Sequence, residues 1–442
     1  MGDQRIYTEM AQAAVNHGRQ IGLAALEVHL EHTKSQVVSW DCTASPPLCV
    51  MSPIERTIAE IRVYSSEGQV GKASGSAGST ASIEKLIGKA IESARTASGN
   101  PFAGPAAAYK QTDVGLGLLD RRMPQIDDEA REAIVTENVD VVAGLPGLEA
   151  ENFRYTEVIS SRTFCSSVGI LKEEVGSLFR LEGRVRTADG EHSLAESVES
   201  RSFADVASIP LGADLGRKVK RFGTPAPLPE GERVVVIEPI VIAEFMGAVA
   251  LAFDRTLVEA GGSFLSDGKR VGADKLHMID DGLLSGAMQT RSFDHRGVPS
   301  LDLPLIREGA VGALYQSVEV ARELDGRPSG HEGATGPWPG NLVLRSGTRS
   351  RNMIYPELGR YLLLDSRVDD RKVWFNLKTG KLRLKAHFFS GFAGEEPVYV
   401  GVHTIQTSFI ELWSGIREIA NDQRRFGSVD VSTWLVEGLR LT

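Results

Sequence analysis

The run VVVIEPIVIAEFMGAVALAFD, Val234 to Asp254, is almost wholly apolar, yet Glu238 stands near its start and Glu244 in its middle. An ionised carboxylate in an apolar setting is costly unless it is paired or put to use. One such use is general-base chemistry, in which a carboxylate takes a proton from a water, often one bound to a metal. A catalytic zinc helix supplies this with two His about a turn apart and a Glu beside the first.

Elsewhere, the pair His331-Glu332 lies in SGHEGATGPWPG, where Gly and Pro forbid a helix and no second His follows. Its loop carries Trp338, a residue able to cover a cleft. Asp294 and His295 adjoin in the turn-like FDHRG, a possible acid–base pair, and His387 stands in a strand. Strict alternation puts His387 on the face of Arg383 and Lys385, so it is expected at solvent or on a cavity wall. His331, His387, His295 and Asp294 are thus the cavity candidates, with no spacing that designates a metal site. The Gly-rich GKASGSAGS lacks the spacing of a phosphate loop and reads as a strand running into a helix cap. A G-x-S-x-G elbow for a nucleophilic Ser is also missing.

The elements that must position these groups can be read from periodicity. YTEMAQAAVNHGRQIG and SIEKLIGKAIESARTA have helical spacing, the latter with Ile83, Ile87, Ala90, Ile91 and Ala94 on one stripe. EAREAIVTENVDVVAGL is a further helix. LAALEVHLEHTKSQVVSW alternates as a strand, and IAEIRVYSSEGQVGKASGS reads as a hairpin. Successive short strands are expected over the region from Tyr155 to Val206. FGTPAPLPEGE, residues 222–232, is the clearest linker. VVVIEP then reads as a buried strand and the run after it as a helix, followed by the hairpin VWFNLKTGKLRLKAHFF and the strand PVYVGVHTI. The fold class expected is α+β in two domains: an α/β-sandwich-like domain over 1–222 and a strand-rich domain over 233–442 with a large mixed or antiparallel sheet.

With 442 residues, 42% apolar and 24% charged, the chain is long enough for two cores. A net charge of -9 leaves no basic footprint for nucleic acid or anionic membrane. Charge in MGDQRIYTEM argues against a secretory signal, and three sparse cysteines, Cys42, Cys49 and Cys165, suit reduced thiols; a cytoplasmic location is expected.

Several segments together resemble the TldD/PmbA family. These are GGSFLSDGKRVGADKLHMIDDG, SFDHRGVPSLDLPLIREGAVGALYQSVEVARELDGRPSG and IANDQRRFGSVDVSTWLVEGLRL, with GQVGKASGS and NPFAGP in the first half. Zinc-bearing TldD-type members carry His-Glu-x-x-x-His on the helix after the first C-terminal strand. Aligned through VVVIEP, that motif falls on AEFMGA, so Ala243 and Ala248 replace both His while Glu244 is kept. The Cys that completes the site in those members has no counterpart, since no Cys follows Cys165. The resemblance therefore implies a PmbA/TldE-like, metal-free subunit, not catalytic alone. Its partner would be a zinc-bearing TldD-like chain in a heterodimer that processes a peptide or peptide-like substrate. The stretch between Leu363 and Ser408 departs from the usual PmbA pattern, which would suit modified-peptide or natural-product maturation. The alternatives are a recruited non-zinc enzyme of a natural-product pathway and a non-catalytic homodimeric binding or scaffold protein.

Overall fold

The computed structural model describes residues 2–42, 47–110, 115–230, 234–368, 373–439 and 441. Part of the loop after Cys42, residues 231–232 of the expected linker and residue 233 lie outside the described residues.

The first half is built on one antiparallel sheet of long strands: β1 (Ala25–Asp41), β2 (Leu48–Tyr64), β3 (Val70–Ser76), β4 (Leu148–Ser166), β5 (Leu171–Thr187) and β6 (Ser193–Ser200), in the order β3-β2-β1-β4-β5-β6. Helices α1 (Gly2–Gln20) and α2 (Thr80–Arg95) cover part of one face, and Ile83, Ile87, Ala90 and Ala94 join Val28, Leu30, Ile61 and Val63 in one core. The Gly-rich strand β3 has a packing role: a Cβ on Gly71 would sit 1.8 Å from the Ala90 carbonyl oxygen, so only glycine lets α2 lie this close. The strand does run into a helix cap, where Ser79 and Ser82 form a reciprocal capping box on α2.

Helices α3 (Asp128–Ala143), α4 (Phe203–Ala207) and α5 (Leu211–Val219) close the other part of the sheet. Their core does not stop at the linker. Phe153, Phe179, Leu211 and Phe222 pack in one cluster with Val236, Leu363, Phe389 and Leu435 of the second half. The linker itself is anchored at its start, where the Ala226 amide donates to the Tyr399 carbonyl.

The second half contains two mixed sheets. One is ordered β10-β9-β8-β11-β18-β17, from Ala310–Val311, Asp302–Arg307, Met278–Asp281, Asn341–Leu344, Val429–Val431 and Arg424–Phe426. The other follows β13 (Trp374–Phe375), β14 (Lys381–Phe392), β12 (Arg360–Arg367), β7 (Val234–Ile237), β19 (Trp434–Val436) and β16 (Ile416–Ile419), with β15 (Val398–Ser408) also paired to β14. Strands β7 and β12 run parallel, and β7 feeds helix α6 (Pro239–Val249). Pro239 suits the first helical position because its missing N–H would be unpaired there anyway. The α+β expectation holds, with the C-terminal strands divided between two mixed sheets. Among the described residues no helix is long and apolar enough to cross a membrane.

Candidate functional site

Helix α6 buries Val241, Ile242, Phe245, Met246 and Val249, and these residues tie it to the core between the two C-terminal sheets. Its less buried face carries Ile240, Glu244, Gly247 and Ala248 at one-turn spacing. That face meets the first half across a cleft of about 450 Å³, walled by Glu182, Glu196 and Glu199 on one side and Ala243, Glu244 and Arg367 on the other. The cleft lies near the carboxyl ends of parallel strands β7 and β12, where α/β arrangements commonly place ligands.

The puzzle of Glu244 is answered by Arg367, the last residue of β12. The Arg367 Nε lies 3.1 Å from a Glu244 carboxylate oxygen, both side chains being partly exposed. Arg367 belongs to the stretch 363–408 that is expected to depart from the family pattern; residues 369–372 of that stretch lie outside the described residues. The opposite wall is likewise charge-balanced. Glu196 pairs with Lys218, and Arg180 serves both Glu199 and Glu182. Burial nevertheless pushes the Glu196 carboxyl above its ordinary range.

A zinc ion fits this position poorly. Structural and catalytic zinc take His, Cys or carboxylate ligands in a tetrahedral set. Here positions 243 and 248 present methyl groups, the cleft is lined by neither His nor Cys, and Glu244 already faces a guanidinium. The cleft walls are polar, and each of its carboxylates Glu182, Glu196, Glu199 and Glu244 faces a cation.

The other candidates lie away from it. Asp294, fully buried, accepts the amides of Arg296 at 2.8 Å and Val298 at 3.0 Å, and that of Glu332 at 3.0 Å. His295 turns instead to Glu60, its Nδ1 lying 2.8 Å from the carboxylate. The two adjacent residues therefore form no dyad with each other. His331 is buried; its Nδ1 donates to the Ser329 carbonyl, and its Nε2 lies 3.4 Å from Asp280. Asp280 also accepts the Tyr315 hydroxyl and the Gly340 amide. Burial pushes its carboxyl up, but these partners, with His331 the strongest, bring it below its ordinary value.

His387 corrects an expectation. Alternation places it with Arg383 and Lys385 on an open face, yet it is buried. Its ring stacks on Phe222 at 4.1 Å between centroids and its Nδ1 shares a hydrogen bond with the Tyr399 hydroxyl at 3.0 Å. The alternation is intact as far as Ala386; beyond it the first half folds over the outer face of β14, so residues 386–389 are all buried.

The densest charged cluster escapes sequence inspection altogether. Arg296, fully buried, reaches Glu27 through Nε at 2.8 Å, Glu319 and Glu332 through Nη1 at 3.0 Å each, and the Tyr64 hydroxyl and Gly104 carbonyl through Nη2. Arg62 adds a second ion pair to Glu332 at 2.9 Å. Burial pushes the Glu332 carboxyl up, but Arg296 and Arg62 outweigh it and bring it down to about 2. This cluster clamps the first sheet to the C-terminal loops. Its members lie as far apart in sequence as Glu27 and Arg296, and no local pattern signals such pairs.

Known proteins place this architecture. Residues 230–442 match the family model described as the PmbA/TldA metallopeptidase C-terminal domain. The chain is 24% identical over 267 residues to a metalloprotease of Methanocaldococcus jannaschii, covering 58% of each. It is 26% identical over 236 residues to a metalloprotease of Methanothermobacter thermautotrophicus, covering 50% of this chain and 52% of that one. The chain thus spans little more than half the length of these curated relatives. Solved structures agree over nearly all of the chain. A candidate modulator of DNA gyrase from Thermotoga maritima aligns with a TM-score of 0.85 and 16% identity, covering 99% of this chain and 100% of its own. A second such protein from Bacteroides thetaiotaomicron gives 0.84 and 17%, covering 98% of each. TldE from Thermococcus kodakarensis gives 0.81 and 16%, covering 98% and 100%. At these identities the structural likeness is one of fold, and the family match rests on the second half of the chain: residues 230–442 belong to the PmbA/TldA metallopeptidase C-terminal domain family.

Proposed function

We propose that this protein is the PmbA/TldE-like subunit of a two-chain metallopeptidase, shaping the substrate cavity while a zinc-bearing TldD-like partner supplies hydrolysis. The observation that carries the reading is the α6 cleft, where Glu244 is held by Arg367 between two alanine positions. Without a metal to lower the pKa of water, a carboxylate paired with a guanidinium is a weak base. The fold likeness to TldE from Thermococcus kodakarensis supports the same assignment. The substrate is a peptide or peptide-like chain, whose extended backbone can pair with a strand edge. The reading carries with it a cytoplasmic location and a division into domains over 1–222 and 233–442.

Co-expression tests the pairing. Tagged chain produced with a family member that has an intact His-Glu-x-x-x-His helix is expected to elute as a 1:1 complex. Elution of the two chains separately, or of this chain only as a homodimer, would overturn the heterodimer.

A further inference from the structure

A second polar site lies well away from α6 in the sequence and is built on the first sheet. His29 and Glu60 face each other directly across the β1–β2 pair, and His295 arrives on a C-terminal loop. One ligand atom from each of the three lies within 4.8 Å of the others, and among the described residues no other such group of His, Cys, Asp and Glu occurs. The imidazoles of His29 and His295 lie against each other with centroids 4.3 Å apart.

His29 supplies an independent sign. Its side chain is buried, yet Nε2 has no hydrogen-bond partner. A buried polar nitrogen left unpaired costs about 1–3 kcal/mol, and native proteins rarely leave such groups without a ligand or water. The three groups open on a cavity of about 190 Å³ that Lys72, Ser74 and Thr335 also line.

We propose that His29, Glu60 and His295 bind a divalent transition-metal ion of the zinc type, with its fourth position open to that cavity. Two imidazoles and one carboxylate are a common donor set for such ions, with bonds of about 2.0–2.2 Å. A tetrahedral ion sets its donor atoms about 3.4 Å apart, so modest side-chain rotation closes the set. Of the nearby cations, Arg62 is engaged by Glu332 and Arg162 by Glu174, both at 2.9 Å, and Lys72 stands on the cavity wall. Because its ligands come from both halves of the chain, the ion would also fasten the first sheet to the loop carrying His295. This inference does not depend on the subunit reading, since the α6 cleft contributes none of its ligands.

The test uses the full chain, stripped with chelator and titrated with Zn²⁺ alone and, separately, Co²⁺ alone. The expected result is one ion per chain by elemental analysis, with visible Co²⁺ bands of low-coordinate intensity. His29→Gln and His295→Gln should each weaken binding at least about 100-fold, because each removes a ligand outright. Glu244→Gln, at the other cleft, should leave binding unchanged. Circular dichroism and thermal melts of the metal-free variants confirm folding; if His29→Gln unfolds, Glu60→Gln takes its place. Binding no tighter than that of the double His29→Gln/His295→Gln variant overturns the site. An ion lost in Glu244→Gln but kept in His29→Gln overturns it too, and with it the metal-free α6 cleft.

Discussion

Replacing Arg296 with Met is expected to cost about 3–5 kcal/mol of stability, read as a lowered urea midpoint at neutral pH. The guanidinium is fully buried and is the common partner of Glu27, Glu319 and Glu332. Removing it leaves three carboxylates facing each other, with Arg62 still pairing Glu332. The Tyr64 hydroxyl, which also donates to Glu27, and the Gly104 carbonyl lose their partner as well. The cost is therefore that of stranding buried charge, which is larger than the net worth of any one pair. Arg296→Lys should recover little, because a single ammonium cannot spread its donors over this set of acceptors. A loss below about 1 kcal/mol, the size expected of an exposed pair, would show that the cluster is solvated and does not clamp the halves.

The second large effect is acid sensitivity centred on His387. Burial, reinforced by His192, lowers its pKa from 6.5 to about 4. The unfolded chain therefore takes up this proton near pH 6.5, whereas the folded chain resists it until about pH 4. The contribution of the neutral, buried ring is fully present above pH 6.5 and is lost as pH falls from there to about 4. Its ceiling is about 3 kcal/mol, from about 1.4 kcal/mol per pKa unit. Urea midpoints measured at intervals between pH 7 and 4 should fall, and His387→Gln, which keeps a polar group but cannot charge, should flatten the fall. Equal slopes in the two proteins would contradict the assignment. Glu332 adds a distinct step at lower pH. Its folded carboxyl lies near 2 against an ordinary 4.5, so its stabilisation is present above 4.5 and disappears towards pH 2.

The sequence makes local features plain and hides the remote ones. Apolar periodicity locates α2, α3 and α6 and the long strands, because each repeats its pattern over several turns or residue pairs. The resemblance to zinc-bearing members sets Ala243 and Ala248 where their two His would stand beside Glu244, a matter of residue identity alone. What the carboxylate does instead depends on Arg367, which only the parallel pairing of β7 and β12 brings within reach. The face of His387 is misjudged for a related reason. Alternation reports one strand's two faces, and cannot tell that the first half covers the outer one from residue 387 onward. Asp294 and His295 adjoin in sequence but serve different partners, since consecutive side chains in a turn diverge. No local pattern joins His29, Glu60 and Arg296 to their partners, which come from distant strands and loops.

On the proposed pairing, hydrolysis belongs to the partner's metal and not to the α6 cleft. The direct measurement is peptide hydrolysis by three samples: this chain alone with added Zn²⁺, a zinc-bearing TldD-like chain alone, and the two together. The account predicts no turnover from this chain alone and turnover from the pair that a chelator abolishes. Substituting Glu244→Gln in this chain should leave the pair's kcat unchanged within about twofold, since no transition-state contact is lost. Zinc-dependent turnover by this chain alone, abolished by Glu244→Gln, would contradict it.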